Sequence, residues 1–276
     1  MSMDVYTMRK GELRGIHIGH FYQMNNTEWL EVLEINNKSD VKVRFLEYPH
    51  IRSAHASEIR NGGVRNPMRP IIAGVGYTGV GPIPYTINRD LTRAGQTWNN
   101  MLKRVLQPKR ETDVRLYGKC KIHTDWLNFQ NFGAWYHQQI DRFGEVDFVW
   151  NIDKDLLVPG NKVYGPDTCI MVPSHINCLL TDSSLRRGKY PMGVLYENGK
   201  YIAYCNSNQN GQWRVGSFDT IPDAQRAYWS EKFRVIQETA IRYWHYLPEP
   251  IAYRLLLFNW SDALAYYGDD ARIWSE

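Results

Sequence analysis

The sequence predicts an α+β protein built from several small modules. Short runs of apolar residues bounded by turn residues, typical of β-strands, occur near both ends of the chain. Apolar residues at helical spacing occur between these runs and after them. With 276 residues, the chain is long enough for two or three domains, and we place them at 1–72, 73–190 and 191–276.

The composition excludes several classes of protein. No apolar run approaches the roughly 18 residues of a membrane span, and the opening MSMDVYTMRK lacks the apolar region of a signal peptide. The cysteines lack CxxC spacing, and Cys120, Cys169 and Cys178 read better as small buried hydrophobic residues than as zinc ligands. We therefore expect a cytoplasmic protein with no membrane partner. The net charge of +4 is too small to require nucleic acid by itself. The four cysteines are Cys120, Cys169, Cys178 and Cys205.

The first domain reads as a small all-β module. Two strand-like runs, 29–35 and 41–48, flank the turn-forming segment NNKSD, which predicts a hairpin. Glycine and proline are dense in GVGYTGVGPIPY, so we expect 71–88 to be either a linker or an ordered loop. No chemistry follows from this part of the chain.

Helical spacing begins at residue 93 and accompanies a local excess of positive charge. The apolar residues of TRAGQTWNNMLKRVL predict a helix. Within 93–121, eight basic residues stand against two acidic ones. This segment is either a solvated basic face or a surface that contacts phosphate, with Arg104, Lys109 and Arg110 as the candidates.

Aromatic residues recur every three positions in DWLNFQNFGAWYHQQI, which predicts the core face of a second helix. These residues are Trp126, Phe129, Phe132 and Trp135.

The segment that follows predicts a strand, a loop, a second strand and a helix. The strands are expected at 146–152 and 169–172, with the loop broken at Pro159 and Gly160. Ser174 is expected to be the N-cap of the helix, because its hydroxyl can accept a hydrogen bond from the first helical turn.

Oxygen-bearing side chains cluster around this ββα unit. Asp153 and Asp155 flank Lys154 at the end of the first strand, and Asn161 and Asn177 follow. Carboxylate and amide oxygens are suitable ligands for Mg²⁺. Ordinary turn chemistry is the alternative explanation for DKD and PGN.

The last domain predicts three short strands, at 192–196, 200–205 and 212–218, joined by ENG and NQNG turns. A long amphipathic helix should follow from Asp219 and Thr220 to about residue 246. The tail beyond residue 248 should be helical, and exposed Trp and Tyr residues in it would suit a protein partner.

The run WNIDKDLLVPGNKVYGPDTCIMVPSHINCLL resembles the HNH, or ββα-metal, endonuclease motif, in particular that of phage-borne HNH homing endonucleases. QTWNNMLKRV and DWLNFQNFGAWY resemble the helices that precede this motif in those proteins. Residues 1–70 look like their small N-terminal β-barrel. Residues 190–235, with GVLYENGKYIAY and VGSFDTIPDAQRAYW, are similar to the ethylene-response-factor (Apetala-type) DNA-binding module.

The resemblance implies a phage-type endonuclease, homing or nicking, in the cytoplasm of an infected bacterium. Such an enzyme would hydrolyse phosphodiesters of double-stranded DNA with Mg²⁺ or Mn²⁺. By the motif, Asp153 and Asn177 would hold the metal and Asn161 would brace the loop. His175 and Asn177 point about 200° apart on a helix, so only one can face the metal, and the motif favours Asn177 over His175.

Lys154 departs from the motif, because it stands where the family has the histidine that serves as general base. Three alternatives follow from this departure. Lys154 acts as a neutral base beside a cation, or Asp155, His175 or His123 takes the proton instead. In the third alternative the site is degenerate, and the scaffold binds DNA or a host or phage protein without cleavage.

Further DNA contacts are expected after the ββα unit. The segment SSLRRGKYP carries a compact basic cluster suited to phosphate, formed by Arg186, Arg187 and Lys189. If the sheet enters the major groove, as the resemblance implies, Lys200 and Arg214 are candidate contacts. Tyr201 and Tyr204 should lie on opposite faces of the sheet. Trp213 either packs on the following helix or stacks on DNA.

Overall fold

The computed structural model describes residues 15–180, 189–207 and 211–273, and it has the expected α+β class. The chain forms two compact units. The first runs to Tyr85 and includes Leu127–Gln130, and the second contains Thr86–Trp126 and the chain from Asn131 onwards.

The first unit contains a four-stranded antiparallel sheet. Its strands are β1 (Phe21–Gln23), β2 (Trp29–Asn37), β3 (Asp40–Phe45) and β4 (His50–Ala54), in that order across the sheet. The pairing of β2 with β3 confirms the predicted hairpin. Alternate residues of these strands are buried, so one face of the sheet forms a core, which the short helix α1 (Ala56–Arg60) joins through Ile59.

This sheet does not support the expected β-barrel. Within the described residues β1 and β4 are the two edges of the sheet, and no strand pairs β1 with β4 to close a barrel. Closure requires the strands to tilt and stagger until the first meets the last. Here the chain leaves β4 directly into α1 instead.

The glycine-rich segment after Pro70 is an ordered loop. Within this loop, Tyr77 forms an isolated β-bridge with Asn128. The side chain of Gln130 holds the loop at two further positions, Thr78 and Ile83. The Gln130 amide donates to the carbonyls of Thr78 (3.3 Å) and Ile83 (2.9 Å), and its oxygen accepts from the Ile83 amide at 3.0 Å. Of the two alternatives for 71–88, the ordered loop is therefore correct for residues 71–85.

The second unit begins with a short hairpin, β5 (Thr86–Ile87) and β6 (Asp90–Leu91), and continues into helix α2 (Arg93–Leu106). The predicted helix at residue 93 is confirmed, and the Thr92 hydroxyl caps it by accepting from the Gly95 amide. Further elements follow along the chain: α3 (Glu111–Tyr117), β7 (Lys121–Ile122), a 3₁₀ turn (Thr124–Leu127), α4 (Phe129–Ile140) and a 3₁₀ turn (Asp141–Phe143).

The four spaced aromatic residues are all buried, as expected. Three of them lie on α4, but Trp126 belongs to the 3₁₀ turn that precedes this helix. Its ring still packs on those of Phe132 and Trp135, with centroids at 5.1 and 4.6 Å. A spacing of three residues persists through a 3₁₀ turn, so the sequence pattern did not show this change of helix type.

The expected ββα order is present. Strand β8 (Trp150–Asp153) pairs antiparallel with β10 (Ile170–Pro173), which continues into helix α5 (Ser174–Leu179). Between them, the two-residue strand β9 (Val163–Tyr164) runs parallel to β7.

The expectation that Ser174 is the N-cap is wrong. Pro173 occupies the N-cap position without a side-chain cap, and Ser174 is the first helical residue. The strand extends one residue further than its apolar pattern indicated, which moves the start of the helix.

The last part of the second unit has the three expected strands and the long helix. Strands β11 (Val194–Glu197), β12 (Lys200–Ser207) and β13 (Gly211–Phe218) form an antiparallel sheet against helix α6 (Ile221–Arg242). Thr220 caps α6 through its hydroxyl.

The tail is helical, with α7 (Glu249–Leu256) and α8 (Trp260–Tyr267). Both helices contribute to one hydrophobic core together with the ββα unit and the three-stranded sheet. Ile176 and Leu179 of α5, Cys205 of β12 and Leu255 of α7 are all buried in it. No helix among the described residues is both long enough and apolar enough to cross a membrane.

The cysteines are all free thiols. Cys120 and Cys169 are buried, as expected for small hydrophobic residues, and Cys205 is buried as well. Cys178 contradicts that expectation, because it lies on the exposed side of α5.

Candidate metal and phosphate site

Asp153 ends strand β8 and closes the turn that follows it. Its Oδ1 accepts hydrogen bonds from the backbone amides of Asp155 (2.8 Å) and Leu156 (2.7 Å). Burial raises the pKa of Asp153, against the opposing effect of these two hydrogen bonds. Asp153 is thus a partly desolvated carboxylate whose position is fixed by the backbone.

Lys154 is buried, with only 7% of its surface exposed. Its Nζ donates to Asp155 Oδ2 at 2.6 Å and to the Asn161 carbonyl at 3.0 Å. Both partners are acceptors, so Lys154 Nζ acts as the donor in both contacts. A general base would need a lone pair free to accept a proton.

Asn161 ties the two ends of the loop between β8 and β9. Its side-chain amide donates to the carbonyls of Lys154 and Val163, both at 2.8 Å, and its oxygen accepts from the Val163 amide at 2.9 Å. These contacts brace the loop that carries Lys154 and Asp155.

A cavity of about 280 Å³ opens beside this loop. Asp153 and Asn177 both line it, so strand β8 and helix α5 bring these two residues to one place. Its lining consists of Arg104, Leu116, Tyr117, Ile152, Asp153, Lys154, Asp155, Gly160, Lys162, Tyr164, Asn177, Leu180 and Tyr266.

The two histidines considered as proton acceptors have other contacts. His175 Nδ1 lies 2.8 Å from the Tyr243 hydroxyl, and the two rings stack with centroids 5.1 Å apart. His123 Nδ1 lies 3.3 Å from the Asp125 amide nitrogen and 3.7 Å from its carboxylate.

Of the candidate phosphate contacts in the basic segment 93–121, Arg104 lines the cavity, whereas Lys109 and Arg110 do not. The Arg104 guanidinium lies over the Tyr117 ring, 5.1 Å from the centroid. Arg110 instead pairs with Asp113 at 3.0 Å, which raises the pKa of Arg110, and Lys109 is exposed beside it. Lys162, which we did not select from the sequence, also lines the cavity.

The tail supplies two further residues that sequence reasoning missed. Arg254 on α7 donates to the Leu156 carbonyl at 3.0 Å, and Tyr266 on α8 donates to the Asp155 carbonyl at 3.4 Å. Burial raises the pKa of Tyr266 to about 12, so its hydroxyl remains a donor at neutral pH. No local spacing connects these residues to a loop about a hundred positions earlier.

The residues present can hold a hard cation only with help from a ligand. Within the described residues, no three His, Cys, Asp or Glu side chains are grouped to hold a metal ion. Asp153 and Asn177 offer a carboxylate and an amide, while Asp155 is engaged by Lys154. Mg²⁺ commonly binds one or two carboxylates and completes its shell with water and substrate phosphate, so this donor set fits such an ion.

The three-stranded sheet places its candidate residues in different surroundings. Arg214 is exposed and lies directly across from Tyr204. Lys200 forms an ion pair with Asp219. Trp213 Nε1 donates to Glu231 on α6 at 3.0 Å, so Trp213 packs on the helix.

The basic cluster before the sheet is described only in part. Lys189 lies over the Tyr190 ring, 5.8 Å from its centroid, whereas Arg186 and Arg187 lie outside the described residues. Tyr201 packs against Tyr196 and the core.

The second unit thus brings a strand-end carboxylate, a helix amide and three cations to one cavity. No protein-family model, no curated protein and no solved structure matches this chain.

Proposed function

We propose that this protein is an HNH-like DNA endonuclease of phage type that hydrolyses phosphodiesters with Mg²⁺ or Mn²⁺. One observation carries the proposal: Asp153 and Asn177, from the two ends of a ββα unit, line the same cavity as Arg104. The two oxygen ligands would hold the metal, and the guanidinium suits the phosphate. A bound divalent ion stabilises charge on the scissile phosphate and on the leaving oxygen.

Asp155 is the proton acceptor that the geometry favours. It lines the cavity, and its side chain is 37% exposed, so water can reach it. One of its oxygens accepts from Lys154, which fixes the carboxylate. Lys154 is then a positioning residue, and it would hold Asp155 in place.

DNA binding by the three-stranded sheet is part of the same proposal. Arg214 is exposed on β13 and offers a guanidinium to a base edge or a phosphate. Trp213 contributes packing on α6 instead of stacking on a base.

A second candidate function is DNA binding without cleavage on the same scaffold. The contacts of Lys154 favour it, because a buried ammonium paired with Asp155 occupies the place of the family's base. The two candidates share the DNA ligand and differ in hydrolysis.

A plasmid-nicking assay separates the two candidates. With Mg²⁺ or Mn²⁺, the wild type should convert supercoiled DNA to the nicked form, and EDTA should abolish this reaction. Asp153→Asn should remove most of the activity, and Asp155→Asn should lower the rate by about a hundredfold or more, the usual contribution of a general base. Asp167→Asn, at an exposed acidic residue between β9 and β10, is the control and should cleave normally.

The remaining outcomes are equally decisive. DNA binding without cleavage under either metal would rule out the nuclease and leave the second candidate. Cleavage that survives Asp153→Ala would place the active site elsewhere in the chain.

A further inference from the structure

Two of the cations that line the cavity, Arg104 and Lys162, have side chains with no hydrogen bond or ion pair in the part of the chain that the structure describes. Arg104 contacts the Tyr117 ring, and Lys162 is bound through its backbone carbonyl, which accepts from the Lys121 amide at 2.7 Å. The nearby carboxylate of Asp113 is engaged by Arg110. The two cations are therefore available to a ligand.

The local structure orients the Arg104 guanidinium and supports the backbone at Lys162. The Arg104 guanidinium lies over the face of Tyr117, which leaves the N–H groups at the edge of the guanidinium for an anion. Lys162 directly follows Asn161, whose three hydrogen bonds hold the loop backbone. Neither cation depends on a long unsupported loop for its position.

The charge balance of the cavity favours an anion. Lys154 and Asp155 pair at 2.6 Å and largely neutralise one another. The other charged residues that line the cavity are one carboxylate, Asp153, and two cations, Arg104 and Lys162, so the net charge of the lining is positive.

The size of the cavity limits what this anion is. About 280 Å³ lies near the lower end of the range for small-molecule pockets and is far too small for a duplex. It accommodates one phosphodiester group with part of its sugar. Leu116, Ile152 and Tyr117 supply apolar surface for that sugar.

We infer that Arg104 and Lys162 together bind one DNA backbone phosphate inside this cavity, beside Asp153. This inference rests on the DNA binding of the proposed function but requires neither a metal nor cleavage. Lys162 thereby becomes a candidate DNA contact, and Arg104 has a specific role that the other basic residues of 93–121 do not share.

The test is the affinity for a labelled DNA duplex in EDTA, measured by fluorescence anisotropy over a range of salt concentrations. Arg104→Gln and Lys162→Gln should each weaken binding about fivefold at roughly 0.15 M salt and reduce the salt slope by about 1, the contribution of one phosphate contact. The matched controls are Arg115→Gln and Lys103→Gln, which remove exposed charges from the same basic segment without touching the cavity. Each control should change the affinity less than twofold.

Equal losses in the controls would overturn the inference, because they would show a general electrostatic field. Unchanged binding by both cavity variants, or no binding by the wild type, would also overturn it. If the cavity variants alone lose affinity and the wild type never cleaves, the phosphate site stands and the endonuclease proposal fails.

A folding control keeps the result interpretable. Arg104→Gln also removes the contact with Tyr117, so its thermal unfolding should be compared with that of Arg104→Lys. Arg104→Lys keeps the charge but loses the planar fork of the guanidinium, and an intermediate affinity is expected. Lys162→Gln, at an exposed side chain, tests the inference independently.

Discussion

Two buried lysines of the second unit have opposite surroundings. Lys154 donates to a carboxylate and to a carbonyl, so its burial is compensated. Lys232 on α6 is 6% exposed and has no hydrogen bond or ion pair within the described residues. Burial lowers the pKa of Lys232, since the charged form is poorly solvated among the core residues. The first lysine is paired within the candidate site, and burial of the second costs stability.

Replacing Lys232 should stabilise the protein. Lys232→Met keeps an unbranched side chain, one atom shorter, and removes the buried amine, whose desolvation costs about 1–3 kcal/mol. The melting temperature at pH 7 should rise by roughly 3 °C or more. Thermal unfolding followed by circular dichroism measures this change, with Lys103→Met at an exposed position as the control.

The stability gained by Lys232→Met should depend on pH. The folded pKa of Lys232 lies below its unfolded value of about 10.4, so the unfolded state binds more protons between the two. The wild type should therefore gain stability as the pH rises through this window. The advantage of Lys232→Met should shrink towards pH 10, and an advantage that stays constant would contradict the assigned cause.

At the scale of elements, the glycine-rich loop of the first unit depends on contact as well as on backbone freedom. Gly79 and Gly74 both have a positive φ, of 70° and 74°, which disfavours other residues at either position. A Cβ at Gly79 would lie 1.9 Å from Asn128 Oδ1, whereas a Cβ at Gly74 would meet nothing within 4 Å. The two positions therefore separate backbone strain from packing.

We expect Gly74→Ala to cost about 1–2 kcal/mol, the usual penalty for the left-handed conformation. Gly79→Ala should cost about 1–3 kcal/mol more, because Asn128 Oδ1 must move away from the new Cβ and from the Gln130 amide that donates to it. Urea unfolding of the full chain measures both values in the transition of the first unit. Equal losses in the two variants would show that the loop does not rely on this contact.

Several elements were predictable because their signals are local. The hairpin of β2 and β3 follows from NNKSD between two apolar runs, and α6 follows from Thr220 and the amphipathic pattern after it. The start of α5 was misplaced, because the choice between Ser174 and Pro173 as cap depends on how far β10 pairs with β8. The end of β10 is determined by its pairing with β8, and the residues near Ser174 alone do not indicate it.

At the scale of the whole molecule, the tail belongs to the core of the second unit. Leu255, Phe258, Ala263 and Tyr267 are buried in the cluster that also contains Ile176 of α5. Arg254 and Tyr266 reach from the tail to the loop after β8. Exposed apolar side chains remain at Tyr253 and Leu257.

Removal of the tail should therefore unfold the second unit. A chain that ends at Leu247 loses several buried large side chains, each worth about 2–5 kcal/mol, against a total stability of about 5–15 kcal/mol. Loss of near-ultraviolet circular dichroism and increased binding of a hydrophobic dye would report this unfolding. The control, Leu257→Ser, changes an exposed tail residue and should keep the wild-type melting temperature.

A truncated chain that stays folded would contradict this account. The tail would then be a separate segment, as its aromatic residues first indicated when they were considered as contacts for a protein partner.

Local sequence signals were enough for the hairpin of β2 and β3, the ββα unit, the three-stranded sheet with its long helix, and the oxygen-bearing side chains around Asp153. They did not determine whether the first sheet closes, which helix residue shares a cavity with Asp153, or what holds the loop beside it. Asn177 lines that cavity, while His175 bonds to Tyr243, a residue 68 positions away. The Leu156 carbonyl is bound by Arg254, 98 positions away. Such contacts form only when distant elements pack on a common core, and no spacing along the chain records them.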